Sequence, residues 1–240
     1  MDLTHVVRVM SAAARDDCPD LPGRLCAAFN RAADGRGAAL ALMADLTHHH
    51  TLLRASHPDA AALCELEFDL GVGPGLEAFR RGRPVLVGDL RGAEGQQWPV
   101  WSDTVQARNL PARAVFGFPL QIAGSPFGLI QLHRDRPGIP NQTDIAAAAL
   151  AADLVALALA RSFDRPALGG APAWLPEPGV DSVEVDQAIG MVMAQLRAPA
   201  ETALATLRAR AFTEDRPLDE VAHDVLARKI VFGPGSDEKA

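Results

Sequence analysis

Residues 113–134, RAVFGFPLQIAGSPFGLIQLHR, decide how most of the chain is read. Two apolar runs flank a break at Gly124 to Pro126, and glycine followed by proline is turn chemistry, so the stretch predicts a β-hairpin. Upstream, GAALALMADL (37–46) has the small and apolar composition of a buried strand; THHHT (47–51) turns the chain and TLLRAS (51–56) returns beside it. Between these hairpins the sequence predicts a short helix near 58–63, a strand over CELEFDL (64–70), a glycine-rich loop GVGPG (71–75), a short helix LEAFRRG (76–82) and a strand PVLVGDL (84–90). A looser segment carries Trp98 and Trp101. Helices over 3–15 and 21–33 open the region, and residues 142–163 close it with a helix that Thr143 can cap and whose apolar face holds Ile145, Leu150, Leu154, Leu157 and Leu159. Helices around an antiparallel sheet make an α+β sandwich.

The 240 residues are 48% hydrophobic and 22% charged, enough to bury a substantial core. A net charge of −7 argues against polyanion binding over the whole surface, because phosphate affinity comes from Lys and Arg displacing counterions; any nucleic-acid contact must be local. The N-terminus lacks an apolar signal segment and no apolar run reaches 18 residues, which leads us to expect a cytoplasmic protein without a membrane anchor. Cys18, Cys26 and Cys64 are odd in number and lack zinc-ligand spacing, so neither a complete disulfide framework nor a closed metal site follows.

Residues 164–180, DRPALGGAPAWLPEPGV, hold four prolines and three glycines and read as a linker between a domain over 1–163 and one over 181–232, with 233–240 as a disordered tail. Beyond the linker, Val185, Ile189, Val192, Met193 and Leu196 mark one face of a helix that Pro199 ends. Ala203, Leu204, Leu207 and Ala211 mark a second; Pro217 opens a third with Leu218, Val221, Ala222, Val225 and Leu226. Three short amphipathic helices bury their stripes together as a bundle.

Two resemblances follow. Residues 37–160, above all GVGPGLEAFRRGRPVLVGDL and RAVFGFPLQIAGSPFGLIQLHRDRPG, resemble a GAF domain, a fold that binds varied ligands or none. VDQAIGMVMAQL (185–196), LATLRARAF (204–212) and RPLDEVAHDVL (216–226) resemble the three helices of the ANTAR family, with Gly190 permitting close helix approach and Ala203 and Ala222 as small packing residues. This second resemblance implies binding to structured RNA, such as leader hairpins, and transcription antitermination without catalysis. Carried over by position, the RNA-binding candidates are Gln187, Arg208, Arg210 and Arg216; arginine suits the role because its planar guanidinium grips phosphate or stacks on an unpaired base. Two features depart from the family: Ile189 stands where its motif commonly has lysine, and residues 181–240 hold eleven acids against seven bases.

The expected protein is thus a GAF–ANTAR regulator that is not an enzyme, with no resident cofactor, an unidentified small-molecule effector for the first domain, and a homodimeric assembly presenting two helical modules to RNA. Its rivals are a DNA-binding unit using the third helix and a protein-interaction unit whose ANTAR-like part has lost RNA binding. Other clusters carry less. His48, His49 and His50 point alternately across a hairpin tip and read as a solvated turn; His133 reads as a satisfied core or edge histidine rather than a haem ligand. Cys64 at a strand entry raises a methionine sulfoxide reductase reading that needs an activated thiol and a resolving partner. GVGPG lacks the Gly-Lys-Ser/Thr ending of a phosphate loop and reads as a structural turn.

Overall fold

The computed structural model describes residues 2–15, 20–43, 50–163, 172, 174–175 and 180–233. Cys18, His48 and His49, most of the expected linker and residues 234–240 of the expected tail lie outside these. The described residues form two compact units.

In the first unit, helices α1 (Leu3–Ala13) and α2 (Leu21–Ala32) precede strands β1 (Gly37–Met43) and β2 (His50–Ala55). Then come α3 (Pro58–Leu70), α4 (Pro74–Arg81), β3 (Val85–Val87), α5 (Pro99–Ala107), β4 (Ala114–Ile122), β5 (Ser125–Arg134) and α6 (Gln142–Phe163). The five strands form one antiparallel sheet in the order β2-β1-β5-β4-β3. The β4–β5 hairpin turns at Ala123 and Gly124, both with positive φ, the two-residue geometry that matches strand twist. Pro126 already belongs to β5, opposite Gln121, so the turn begins one residue earlier than expected from sequence.

Alternation divides the sheet's faces. Leu40, Phe116, Phe118, Ile130 and Leu132 point into a core shared with α1, α2 and α6. On the opposite face Ala39, Ala41 and Leu129 meet Cys64 and Phe68 of α3 and Leu76 and Phe79 of α4. Trp174 and Leu175, inside the expected linker, pack on the first core, and Trp174 meets Phe163 edge to face at 5.5 Å.

Three local expectations are corrected. CELEFDL is not a strand but the second half of α3: its alternation mimics period two, yet Ala60, Leu63, Cys64, Glu67 and Phe68 are buried at helical spacing that begins before the segment. Gly71, left-handed at φ 69°, stops that helix. The Trp98–Trp101 segment is ordered: Pro99 starts α5, which buries Trp101, Ser102 and Val105. In α6 the cap is Asn141, whose Oδ1 accepts the Asp144 N–H at 2.9 Å, and not Thr143. Its buried face is Ala147, Ala148, Ala151, Ala152, Val155, Ala156 and Leu159, while Leu157 is exposed; small α6 side chains leave room for the phenyl rings of β4.

The helix α4 enters hard against the sheet. Gln131 pairs with Gly117 on one side and Ala39 on the other, so small neighbours surround its amide. Into this space α3 sends Glu67, 1% exposed; its carboxyl accepts the Leu76 N–H of α4 at 3.0 Å and a hydrogen bond from Gln131 Nε2. Burial pushes this carboxyl up to about 8, against the opposing hydrogen bonds from Leu76 and Gln131. Burial thus favours the neutral carboxylic acid over the carboxylate.

Two predictions follow from this packing. A Cβ at Gly117 would lie 2.7 Å from the Pro74 carbonyl oxygen and 2.9 Å from Gly75 Cα, so Gly117→Ala should cost about 1–3 kcal/mol by overpacking, read as a lower urea midpoint. Glu67 has a folded-state value above its unfolded one, so its contribution is fullest below about 4.5 and is lost as pH rises through 8. Stability of Glu67→Gln relative to the parent should accordingly improve from pH 5 to pH 8; urea titrations giving a flat difference would contradict this.

Candidate nucleic-acid interface

The second unit comprises α7 (Val180–Leu196), α8 (Ala200–Glu214) and α9 (Leu218–Leu226). Val185, Ala188, Ile189 and Val192 of α7, Ala203, Leu204, Leu207 and Ala211 of α8, and Val221, Ala222 and Val225 of α9 share one core. After α9 the chain folds back, and the Phe232 N–H donates to Gln195 Oε1 at 2.8 Å. Ala203 and Ala222 are fully buried, as small packing residues should be. Gly190 is different: it is exposed and a Cβ there would meet nothing within 4 Å, so it is not a site of close helix approach. Ile189, at the position of the family's lysine, is buried in the core, where an ammonium would be costly.

The four expected site residues do not converge. Gln187 is exposed on α7, pointing away from that helix's buried stripe. Arg208 and Arg210, two residues apart on α8, are about 200° apart around the helix axis. Arg208 is half-buried beside the Leu204 and Leu207 ridge, whereas Arg210 is exposed and its Nε lies 2.5 Å from Glu214 Oε1. Arg216 follows Asp215, whose left-handed conformation ends α8, and it reaches three carboxylates: Glu214 at 3.1 Å, Glu220 at 3.3 Å and Asp224 at 2.7 Å. Asp224 also takes Lys229 at 2.9 Å.

These contacts set the local charge. Hydrogen bonds from Lys229 and Arg216 hold the Asp224 carboxyl down to about 2, and burial of Glu214, which pushes up, is outweighed by Arg210 and Arg216. Asp224 and the other acids around Arg216 raise its guanidinium above its ordinary value. Ion pairs this exposed add little stability, but they occupy the donors a phosphate would use. Arg216 therefore ties α8 to α9.

The first unit offers no redox or metal centre among its described residues. Cys26 and Cys64 are buried free thiols; burial pushes Cys26 up to about 12 and Cys64 well above the ordinary range, opposite to an activated thiolate. Cys64 lies within α3, not at a strand entry. His133 is a core residue, but its Nε2 has no hydrogen-bond partner among the described residues, and burial pushes it down to about 4, so it is neutral rather than satisfied. His50 stacks on Phe68 at 3.8 Å. No group of three His, Cys, Asp or Glu among the described residues can hold a metal. GVGPG is the structural turn expected, with the segment from Gly73 to Gly75 pressed on Glu67 and the sheet. A cavity of about 270 Å³ opens between sheet and α6, lined by Phe116, Phe118, Leu132, Arg134 and Ile145, which is slightly below the usual range for small-molecule pockets.

The buried polar feature of the first unit that the sequence did not reveal is Glu67, hidden because its segment alternates like a strand; the missing signal was the helical spacing from Ala60.

Comparison with known proteins bears on both units. The GAF domain model matches residues 20–160 and the ANTAR domain model residues 181–226. No curated protein matches the chain. Among solved structures, the GAF domain of a phosphoenolpyruvate-protein phosphotransferase from Coxiella burnetii is 12% identical with a TM-score of 0.53, covering 70% of this chain and 100% of that one. The corresponding GAF domain from Acinetobacter is 8% identical with a TM-score of 0.49, covering 69% and 96%. At such identities the likeness to the Coxiella domain concerns the fold alone. A five-stranded antiparallel sheet held between helices, matched over more than half the chain and followed by the three-helix unit, is decisive: the chain belongs to the GAF domain family and carries a C-terminal ANTAR domain.

Proposed function

We propose that this protein is an RNA-binding regulator acting in transcription antitermination, with the GAF domain sensing a small molecule or mediating dimerisation, and without catalysis of its own. The observation that carries the reading is the three-helix core of the unit that the ANTAR model matches, built from the buried stripes of α7, α8 and α9. The thiols of Cys26 and Cys64 are buried and held above the ordinary range, which disfavours the thiolate chemistry of the reductase alternative. α6 is long and apolar enough to cross a membrane, but its alanine face is spent on the sheet, in keeping with a cytoplasmic protein.

Dimerisation is the second part of the proposal. α1 and α6 pack together, and Leu3, Val7 and Leu157 are more than 40% exposed on them, an apolar surface that a second copy would cover. Two modules on one dimer would raise a weak single-site affinity through effective concentration.

A second reading has its own support. The ion pairs of Arg210 and Arg216 fit a helical unit that has lost RNA binding and contacts protein instead. The DNA-binding alternative is weaker, since Asp219 and Glu220 in the first turn of α9 would face phosphate with the wrong sign.

Binding of the full chain to tandem-hairpin leader RNAs at two salt concentrations separates these readings. Arg208→Ala should lose about tenfold or more in affinity, the scale of one hydrogen bond to a charged group, and the salt slope should fall by about one. Arg210→Ala should change affinity less than threefold, because its guanidinium is exposed, held by Glu214 and on the opposite side of α8 from Arg208. No binding by the parent, with or without candidate effectors, would move the assignment to the protein-interaction reading. For the assembly, sedimentation at micromolar protein should give a dimer that Leu157→Glu converts to monomer; a monomeric parent refutes it.

A further inference from the structure

The cavity of about 270 Å³ between the sheet and α6 lies on the face away from α3 and α4, and Phe116, Phe118, Leu132 and Ile145 make its walls apolar. Three charged side chains also line it, and their partners differ. Asp34 is held by Arg136, and Asp144 takes a hydrogen bond from the Asn141 side-chain amide at 3.0 Å, so both acids are engaged. Arg134, which follows Ile130 and Leu132 on one face of β5, meets no carboxylate among the described residues. Its Nε donates to the Asp34 carbonyl at 3.0 Å and its Nη2 to the Ala33 carbonyl at 2.7 Å, while the guanidinium carbon lies 5.4 Å from the centre of the Phe116 ring. These contacts fix the group against the cavity wall. They leave Nη1 without a partner among the described residues and the positive charge without a counter-ion there.

Resting on the reading of the GAF domain as a small-molecule sensor, we propose that this cavity binds a small monocarboxylate with a flat apolar body, its carboxylate on Arg134. Three features select that class. Volume sets the size: at roughly 30 Å³ for a water-sized unit the cavity holds about nine, which admits a single ring with a carboxylate and excludes a nucleotide. The walls set the shape, because Phe116 and Phe118 offer phenyl surface that a flat ring meets face to face or edge to face. Charge sets the sign. A guanidinium partly withdrawn from water and bonded only to carbonyls gains a charge-assisted hydrogen bond from an entering carboxylate, whereas a ligand cation would have to compete with the existing partners of Asp34 and Asp144.

The test titrates the full chain by calorimetry with three probes of similar size, benzoate, benzyl alcohol and benzylamine. Benzoate should bind with a Kd of about a millimolar or below, benzyl alcohol on the order of tenfold more weakly, and benzylamine more weakly still. Arg134→Gln should bring benzoate down to the level of benzyl alcohol while benzyl alcohol itself still binds, which shows the cavity intact. Ile145→Trp, a change at a half-buried wall residue, should fill the space and abolish binding of all three, with the thermal transition of the tryptophan emission retained. No benzoate binding by the parent, equal binding of the three probes, or a preference for benzylamine overturns the proposal, and so does parent-like benzoate binding by Ile145→Trp. None of these outcomes touches RNA binding by the helical unit. Benzoate bound in the expected order, with RNA affinity and oligomeric state unmoved, upholds the site and refutes the sensor reading on which it rests.

Discussion

The architecture of the GAF domain depends on how closely the segment from Gly73 to Gly75 lies against the central strands. The Pro74 carbonyl and Gly75 Cα sit where any side chain at position 117 would begin, so β4 must have glycine there. That contact fixes the entry of α4, and α4 in turn packs on β3, β4 and β5. Closeness of backbone to sheet also leaves a polar gap, because the N–H of Leu76 at the start of α4 has no carbonyl within its own helix. Glu67, arriving from α3, fills it and joins three elements through one carboxyl group. An interior acid is an expensive choice unless neutral or fully bonded, and here burial keeps it neutral while its neighbours satisfy its oxygens.

The order of the elements was legible in the sequence wherever one period dominated. The β4–β5 hairpin, β1 with β2, and the three C-terminal helices all carry apolar stripes that agree with their turns. Legibility failed where two periods overlap: Cys64 to Leu70 alternates, yet Leu63, Cys64, Glu67 and Phe68 belong to a helical face that only neighbours on both sides make visible. It failed also in α6, where the eye is drawn to leucines although the sheet's phenylalanines demand alanine opposite them. For the candidate site, sequence supplied the arginines but not their geometry. Two residues apart on a helix reads as a cluster and is in fact opposite sides; nor does spacing show that Glu214, Glu220 and Asp224 converge on Arg216.

That convergence changes how the acidic balance of the ANTAR domain is understood. The negative charges are not spread as a repulsive field but are partly consumed in holding α8 against α9 across the left-handed turn at Asp215. Interior demands explain the other departure from the family as well, since position 189 lies on the buried stripe of α7 with Val185 and Val192, where isoleucine packs and lysine would have to snorkel out.

Trp174, seated on the first core beside Phe163, completes a set: with Trp98 and Trp101 it places all three tryptophans of the chain in the GAF domain, and the chain has no tyrosine. Excited at 295 nm, the protein therefore emits from one domain only, while the ANTAR helices are visible to far-ultraviolet dichroism yet dark in fluorescence. Fluorescence thus follows the first unit alone whereas dichroism sums the helices of both, so a change that melts only the ANTAR helices lowers the dichroism while leaving the emission in place.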